Sequence, residues 1–302
     1  MAETATLSQD NQSSTRTYAT KADEYFQKHY KIPSPQIPHD NLDRLLQQED
    51  ERYSNKILII GDVHGCLTEL KLLIEKAIHQ CNNEFQNLLA IILVGDLVNK
   101  GPQSAKVVKF VRWQQQNNRN VFTVRGNHDD RALAAALGDV ECARKSKYDW
   151  VKEGLSDEDI LWLAELPYTI TIPSRLLHRS QGGSGHETKQ DEDVIVVHAG
   201  LSPNVSLNDQ QTKTMTTIRD MISISDESNG QESIESIAKA WRGPELVVFG
   251  HDAKRGLQQE KYAIGLDTGC VYGKQLTGII LPERTLVSVD ALEVYSPINE
   301  KD

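Results

Sequence analysis

Asp62, His64, Asp96, Asn127, His198 and His251 carry side chains that ligate metals, and each lies in a short glycine-containing block: Gly61-Asp62-Val63-His64-Gly65, Gly95-Asp96, Gly126-Asn127-His128-Asp129, His198-Ala199-Gly200 and Gly250-His251. The blocks hold four of the nine histidines. Each ends a run of β-branched or aliphatic residues, so a rigid strand can fix the ligand while glycine lets the chain turn sharply. Asp62 and His64 are two apart, and in extended backbone their side chains emerge on one side, within reach of one ion. Asp96 offers two carboxylate oxygens and can bridge two cations. The set of two carboxylates, three imidazoles and one amide suits two divalent ions such as Mn, Fe or Zn, rather than calcium or an iron–sulfur cluster. Two such ions about 3.5–4 Å apart activate a water and stabilise the entering and leaving oxygens of a displacement at phosphorus. The expected chemistry is hydrolysis of a phosphoester or phosphoanhydride. His128 adjoins a ligand without being assigned as one and is the candidate acid for the leaving oxygen. Arg125, Lys100 and Arg242 are the candidate phosphate cations, because cations grip the charged equatorial oxygens.

The elements that must position these residues follow from hydrophobic period. Residues 57–60, 88–94 and 121–124 are continuous apolar runs, as expected for strands covered on both faces. Between them, residues 67–81 and 104–117 have helical spacing, with Leu70, Leu73, Ile74, Ala77 and Ile78 on one face of the first. The second half is richer in strands, over 168–172, 194–197, 246–249, 262–266, 276–281 and 285–289. An α/β protein with a mixed sheet, or two stacked sheets with flanking helices, is expected. Residues 1–20 are rich in Ser, Thr and Gln and are expected to be disordered. Pro33, Pro35 and Pro38 interrupt regular structure, and Asp40 is a candidate cap for a short helix reaching Tyr53. The division expected is an N-terminal extension over 1–53 and a functional domain over 54–297. Residues 181–193 and 223–235 read as mobile surface loops.

Composition narrows the function further. Among 302 residues, 38% are hydrophobic, enough for a sizeable core, and 43 acidic residues against 33 basic give a net charge of −10. That balance argues against duplex DNA as a partner. No apolar run reaches the roughly 18–20 residues of a membrane helix, and the first 20 residues lack the apolar stretch of a signal peptide. Cys66, Cys81, Cys142 and Cys270 form no C-x-x-C pair, which suggests a reducing compartment. A soluble, cytoplasmic protein without a membrane partner is expected; oligomeric state is left open. Cys66 and Cys270 adjoin the blocks but are expected to pack as small hydrophobes. His29, His39, His79, His178 and His186 have no block around them, and the Arg175, His178, Arg179 cluster reads as a solvated loop.

The ordered set GDVHG, GDLVNKG, GNHD, HAG and GH resembles the calcineurin-like metallophosphoesterases of the phosphoprotein-phosphatase superfamily, over roughly residues 56–290. Within it, GDLVNKGP (95–102), FGHD (249–252) and LDTGCVYG (266–273) are similar to the ApaH-like phosphatases, relatives of the bacterial symmetrical diadenosine-tetraphosphate hydrolases. The resemblance implies a four-layer α/β/β/α sandwich of two mixed sheets, a dinuclear centre and direct attack by a metal-bound hydroxide. It also implies dinucleoside polyphosphates, polyphosphate, capped RNA ends and small phosphorylated molecules as substrate candidates. Two departures stand out. Protein Ser/Thr phosphatases have Asp-Arg where this chain has Asn99-Lys100, and an amide stabilises an imidazolium less well than a carboxylate. The segment between His198 and Trp241 is much shorter than the one with which the bacterial dinucleotide hydrolases cover their substrate, which argues against carrying over their specificity. A Ser/Thr protein phosphatase is the alternative enzyme, and a catalytically silent metal-binding scaffold the alternative from another class.

Overall fold

The computed structural model describes residues 39–42, 46, 55–81, 88–117, 120–138, 148–177, 192–224 and 232–297. Two mixed sheets form its centre. The first has five strands in the order β13-β12-β2-β3-β4: β2 (Ile57–Ile60), β3 (Ala90–Leu93) and β4 (Val121–Thr123) run parallel, while β12 (Gln275–Leu281) is antiparallel to β2 and β13 (Thr285–Asp290). The second has six strands in the order β1-β5-β6-β9-β11-β10, formed by β1 (His39–Asn41), β5 (Thr169–Ile172), β6 (Val194–Val197), β9 (Leu246–Phe249), β10 (Gln258–Gln259) and β11 (Ala263–Gly265). In it β6, β9 and β11 are parallel.

Strand β2 shows why the layers stack as they do. Its four residues are all aliphatic and all buried, and alternate side chains point to opposite faces. Leu58 and Ile60 enter a core shared with α1 (Leu67–Gln80), α2 (Ser104–Gln116), α3 (Asn127–Ala136), α4 (Trp150–Gly154) and α5 (Asp157–Glu165). Ile57 and Ile59 enter a second core, where they meet Ile170, Val196, Val248 and Ile264 of the opposite sheet. Beyond that sheet lies a third apolar layer, in which Val197, Val247 and Phe249 pack on Met215 of α7 (Thr212–Thr217) and on Ile237 and Ala238 of α8 (Ile237–Ala240). The result is the expected four-layer α/β/β/α sandwich.

The N-terminal side differs from expectation. Asp40 lies within β1, which pairs with β5 in parallel, so residues from the supposed extension add a strand to the second sheet. A helical hydrogen bond then joins Leu46 N to Leu42 O at 2.9 Å. His39 is tied into the sheet by its Nδ1, 2.8 Å from Thr169 Oγ1. The stretch 223–235 is not simply a loop: β7 (Asp220–Ile224) and β8 (Glu232–Ser236) pair as an antiparallel hairpin with Ile222 opposite Ile234. Its Ser- and Glu-rich composition hid a strand pair in which the facing Ile222 and Ile234 are both exposed. Residues 1–20, most of 181–193, and Cys142, His178 and Arg179 lie outside the described residues, while Arg175 is in the short helix α6 (Ser174–Leu177). Among the described residues, no helix is long and apolar enough to cross a membrane.

Ile59 is fully buried between the sheets. Ile59→Ala is expected to cost about 2–5 kcal/mol through lost transfer energy and the cavity left behind, as measured by urea unfolding. A cost under 1 kcal/mol would contradict the placement of the main core there.

Candidate metal centre

Every block ends a parallel strand, so the sheets deliver their side chains to one common edge, the C-terminal edge favoured for sites in open α/β sheets. Asp62 and His64 follow β2, Asp96 follows β3, Asn127 and His128 open α3 after β4, His198 follows β6, and His251 follows β9. All seven are buried. His64, Asp96 and His251 have left-handed backbones, with φ of 43°, 47° and 68°, a conformation uncommon for residues other than glycine and characteristic of strained functional turns. Two glycines make the convergence sterically feasible. A Cβ on Gly126 would collide with the Asp96 carboxylate, and one on Gly250 with that of Asp62.

Hydrogen bonds lock the side chains across both sheets. Asp62 accepts from the His251 amide at 3.1 Å, Asp96 Oδ1 accepts from the His128 amide at 2.8 Å, and the His251 loop is anchored by Gly250 N donating to His198 O at 2.7 Å. Asp129, unassigned in the sequence reading, accepts from Leu97 N at 3.0 Å and Gly126 N at 2.9 Å, stapling two site loops together. Donor atoms gather in two groups that share Asp96: His64, Asp96 and His128, and Asp96, His198 and His251, each within 4.8 Å of one another. His198 Nε2 is 3.4 Å from Asp96 Oδ2 and 3.0 Å from Asn127 Oδ1, and His64 Nε2 is 3.6 Å from Asp96 Oδ2 and 3.9 Å from Asp62 Oδ2.

The donor set fits divalent cations on three observations. First, Nδ1 of His64 lies 3.0 Å from Val98 O, and Nδ1 of His198 lies 3.0 Å from Val94 O. A carbonyl only accepts, so both rings carry their proton on Nδ1 and turn the Nε2 lone pair inward, the tautomer of a metal-ligating imidazole. Second, His251 Nε2 is buried without a hydrogen-bond partner, a state that costs free energy unless an ion meets it. Third, the charges need a counterion. Burial, with Asp267 and Asp96 nearby, pushes the Asp62 carboxyl well above the usual range, and burial lifts Asp267 to about 6. Burial acts on Asp96 in the same sense, and its carboxyl is held low only where positive charge on the side of His198, His128, His64 and His251 outweighs that penalty, a charge that cations would supply to neutral rings. Burial, then Lys100, lowers His64 to about 4, which keeps that ring neutral, and burial likewise lowers His128 and His251.

The candidate phosphate cations separate. Lys100 stands beside the cluster, its Nζ donating to the Tyr272 hydroxyl at 2.5 Å. Arg125 is committed elsewhere: Nε pairs with Asp130 at 3.1 Å, a guanidinium nitrogen donates to Leu163 O and Ala164 O at the end of α5, and the group stacks over Tyr168. Arg242 is 78% exposed and faces Glu235 at 3.7 Å. Sequence adjacency to a block does not tell where Arg125 reaches, and its side chain points back into the helical layer. The sequence reading also missed Tyr148, whose hydroxyl is 3.2 Å from His128 Nδ1, and Asp267, buried beside Asp62. Tyr148 carried no motif; Asp267 was visible within LDTGCVYG. Cys66 and Cys270 are buried beside Glu69, as free thiols.

A candidate metal-binding edge on a sandwich of this kind points to a phosphoesterase, and comparison with known proteins agrees. Residues 55–260 match the model of the calcineurin-like phosphoesterases, and the chain belongs to that family. It is 30% identical over 246 residues to a bis(5'-nucleosyl)-tetraphosphatase PrpE (asymmetrical) of Oceanobacillus iheyensis, covering 80% of this chain and 94% of the relative. It is equally 30% identical over 242 residues to the protein of that name from Anoxybacillus flavithermus, covering 78% of this chain and 95% of the relative. A crystal structure assigned provisionally to the diadenosine tetraphosphatases aligns with a TM-score of 0.61 at 28% identity, over 85% of this chain and 99% of that one. The protein is thus an enzyme acting on phosphorus-containing bonds, of a family that uses divalent metals.

Removing the Arg125 guanidinium takes the cation from Asp130, which keeps the Tyr168 hydroxyl, and a donor from the carbonyls of Leu163 and Ala164. Arg125→Ala is expected to destabilise the fold by about 1–3 kcal/mol while leaving KM for a phosphate substrate unchanged. A raised KM at unchanged stability would return Arg125 to the substrate.

Proposed function

We propose that the chain hydrolyses internal phosphoanhydride bonds of dinucleoside polyphosphates, with two divalent cations held by Asp62, His64, Asp96, Asn127, His198 and His251. The sharing of Asp96 between two groups of donor atoms carries this reading. When bound, the cation pair supplies Lewis-acid polarisation of the phosphoryl group and eases deprotonation of the attacking water. Mn, Fe and Zn all suit these donors.

The protein's own side chains supply the rest. Asp96 sits between the two groups, its Oδ2 facing the Nε2 atoms of both His64 and His198 while Oδ1 accepts the His128 amide. His128 is the acid candidate for the leaving oxygen, since its Nδ1 faces the side chains of Asn99 and Tyr148 rather than a carbonyl, which leaves Nε2 for the leaving group. Lys100 is the phosphate cation that the geometry favours, with Tyr272 steadying its ammonium beside the cluster. The tetraphosphatase names of relatives aligned over most of the chain support a dinucleoside substrate, and their asymmetrical designation favours cleavage away from the midpoint. Capped RNA ends and polyphosphate contain the same anhydride and are further candidates. Among the described residues, Cys66 and Cys270 are buried free thiols, which suits a cytoplasmic setting.

Chromatography of products after incubation with diadenosine tetraphosphate, polyphosphate, capped RNA and a phosphopeptide, each with Mn, Mg and Zn, tests the proposal. The expected result is AMP and ATP from the dinucleotide. Two ADP would overturn asymmetrical cleavage, preference for the phosphopeptide would favour a protein phosphatase, and inertness on all four would leave a scaffold.

A further inference from the structure

His128 lacks the carboxylate partner that its protein-phosphatase counterparts use, because Asn99 stands in that place. The surroundings of its Nδ1 show what does the work instead. Asn99 Nδ2 is 3.0 Å from His128 Nδ1, and the Tyr148 hydroxyl is 3.2 Å from the same nitrogen and 3.3 Å from Asn99 Nδ2. The three groups close a triangle, and all are buried. The other side of the ring is fixed by an edge contact with His64, with centroids 4.9 Å apart and planes at 87°.

Resting on the proposed role of His128, we propose that Tyr148 is the positioning residue for that imidazole, aiming its Nε2 at the leaving oxygen in place of the missing carboxylate.

The amide alone is a poor guide for the ring. An amide presents an oxygen from one end and an NH₂ from the other, and a rotation by half a turn exchanges them. In the triangle, Asn99 spends one N–H on His128 and the other on the phenol oxygen, so Tyr148 fixes the amide as well as the imidazole. A hydroxyl both donates and accepts by rotating its hydrogen, with no movement of heavy atoms. When Nδ1 bears a proton the Asn99 N–H can no longer donate to it, and the Tyr148 oxygen is the acceptor that keeps the ring in place.

The backbone on either side is suited to hold these groups still. Tyr148 O accepts from Val151 N at 3.0 Å, fixing the tyrosine to the first turn of α4, which packs against α2 and α3. Asn99 N donates to Ser104 Oγ at 2.9 Å, fixing the amide to the start of α2. The helix that carries His128 is thus connected to two neighbouring helices through side chains that converge on one ring nitrogen. Small errors in the aim of an acid are expensive in rate, because the productive geometry is narrow.

A double-mutant cycle of Tyr148→Phe and His128→Ala tests this on the metal-loaded full chain, with phenyl phosphate and p-nitrophenyl phosphate. The nitrophenolate leaves readily without a proton, whereas phenolate gains more from an acid. Tyr148→Phe is expected to lower kcat on phenyl phosphate roughly tenfold, the scale of one lost positioning hydrogen bond, with KM and metal content unchanged and a smaller effect on the nitrophenyl ester. In the His128→Ala background the same change is expected to have no further effect, since residues that act as a unit are non-additive. An equal loss in both backgrounds, or none in either, with His128→Ala itself impaired, would overturn the role of Tyr148 alone. Full activity of His128→Ala would overturn the underlying reading of His128 as well.

Discussion

Asp96 lies where the two sheets converge, and imidazoles from both reach its carboxylate: His64 from the neighbouring strand of its own sheet, and His198 from the sheet opposite. The rest of the site is arranged around that contact. One oxygen accepts the His128 amide and so fixes the start of α3; the other faces the two Nε2 atoms. Imidazole lone pairs and a carboxylate do not attract one another, so a buried convergence of this kind is unfavourable unless cations occupy it. The fold sustains it through rigidity. Four-residue strands buried on both faces hold the chain, cross-sheet hydrogen bonds such as His251 N to Asp62 join the two halves, and left-handed turns at His64, Asp96 and His251 are imposed by the packing around them.

The same constraint explains the glycines next to the candidate ligands. At Gly126 and Gly250 any side chain would occupy the volume of a carboxylate, so the spacing of Gly to ligand in the blocks records a steric requirement. The tautomers follow similarly. Main-chain carbonyls of Val98 and Val94 claim the Nδ1 protons of His64 and His198, leaving Nε2 available to an ion.

Much of this was legible in the sequence because it is local. Runs such as Ile57–Ile60 reveal strands buried on both faces, and the order of the blocks reveals which turns lie at the same edge. What escaped depends on side-chain direction or distant pairing. Arg125 precedes Gly126 by one position, yet its guanidinium runs back to Asp130 and the end of α5. Tyr148 is 20 residues from His128 and has no motif around it, so nothing short of the folded helical layer brings the pair together. Strand β1 has three polar or amide-bearing residues and is defined by its partner β5, not by its own hydrophobic pattern. The hairpin of β7 and β8 is concealed for a related reason, since Ile222 and Ile234 are matched only once the two strands pair.

The proposed bridging of two cations by Asp96 is tested most directly by elemental analysis of the metal-reconstituted protein beside its Asp96→Asn variant. The account predicts about two equivalents of Mn or Zn per chain in the parent, as for other paired-metal sites, and loss of at least one equivalent in the variant, because an amide offers one good ligand oxygen and no charge. A single equivalent in the parent, or a variant that retains both ions, would contradict it.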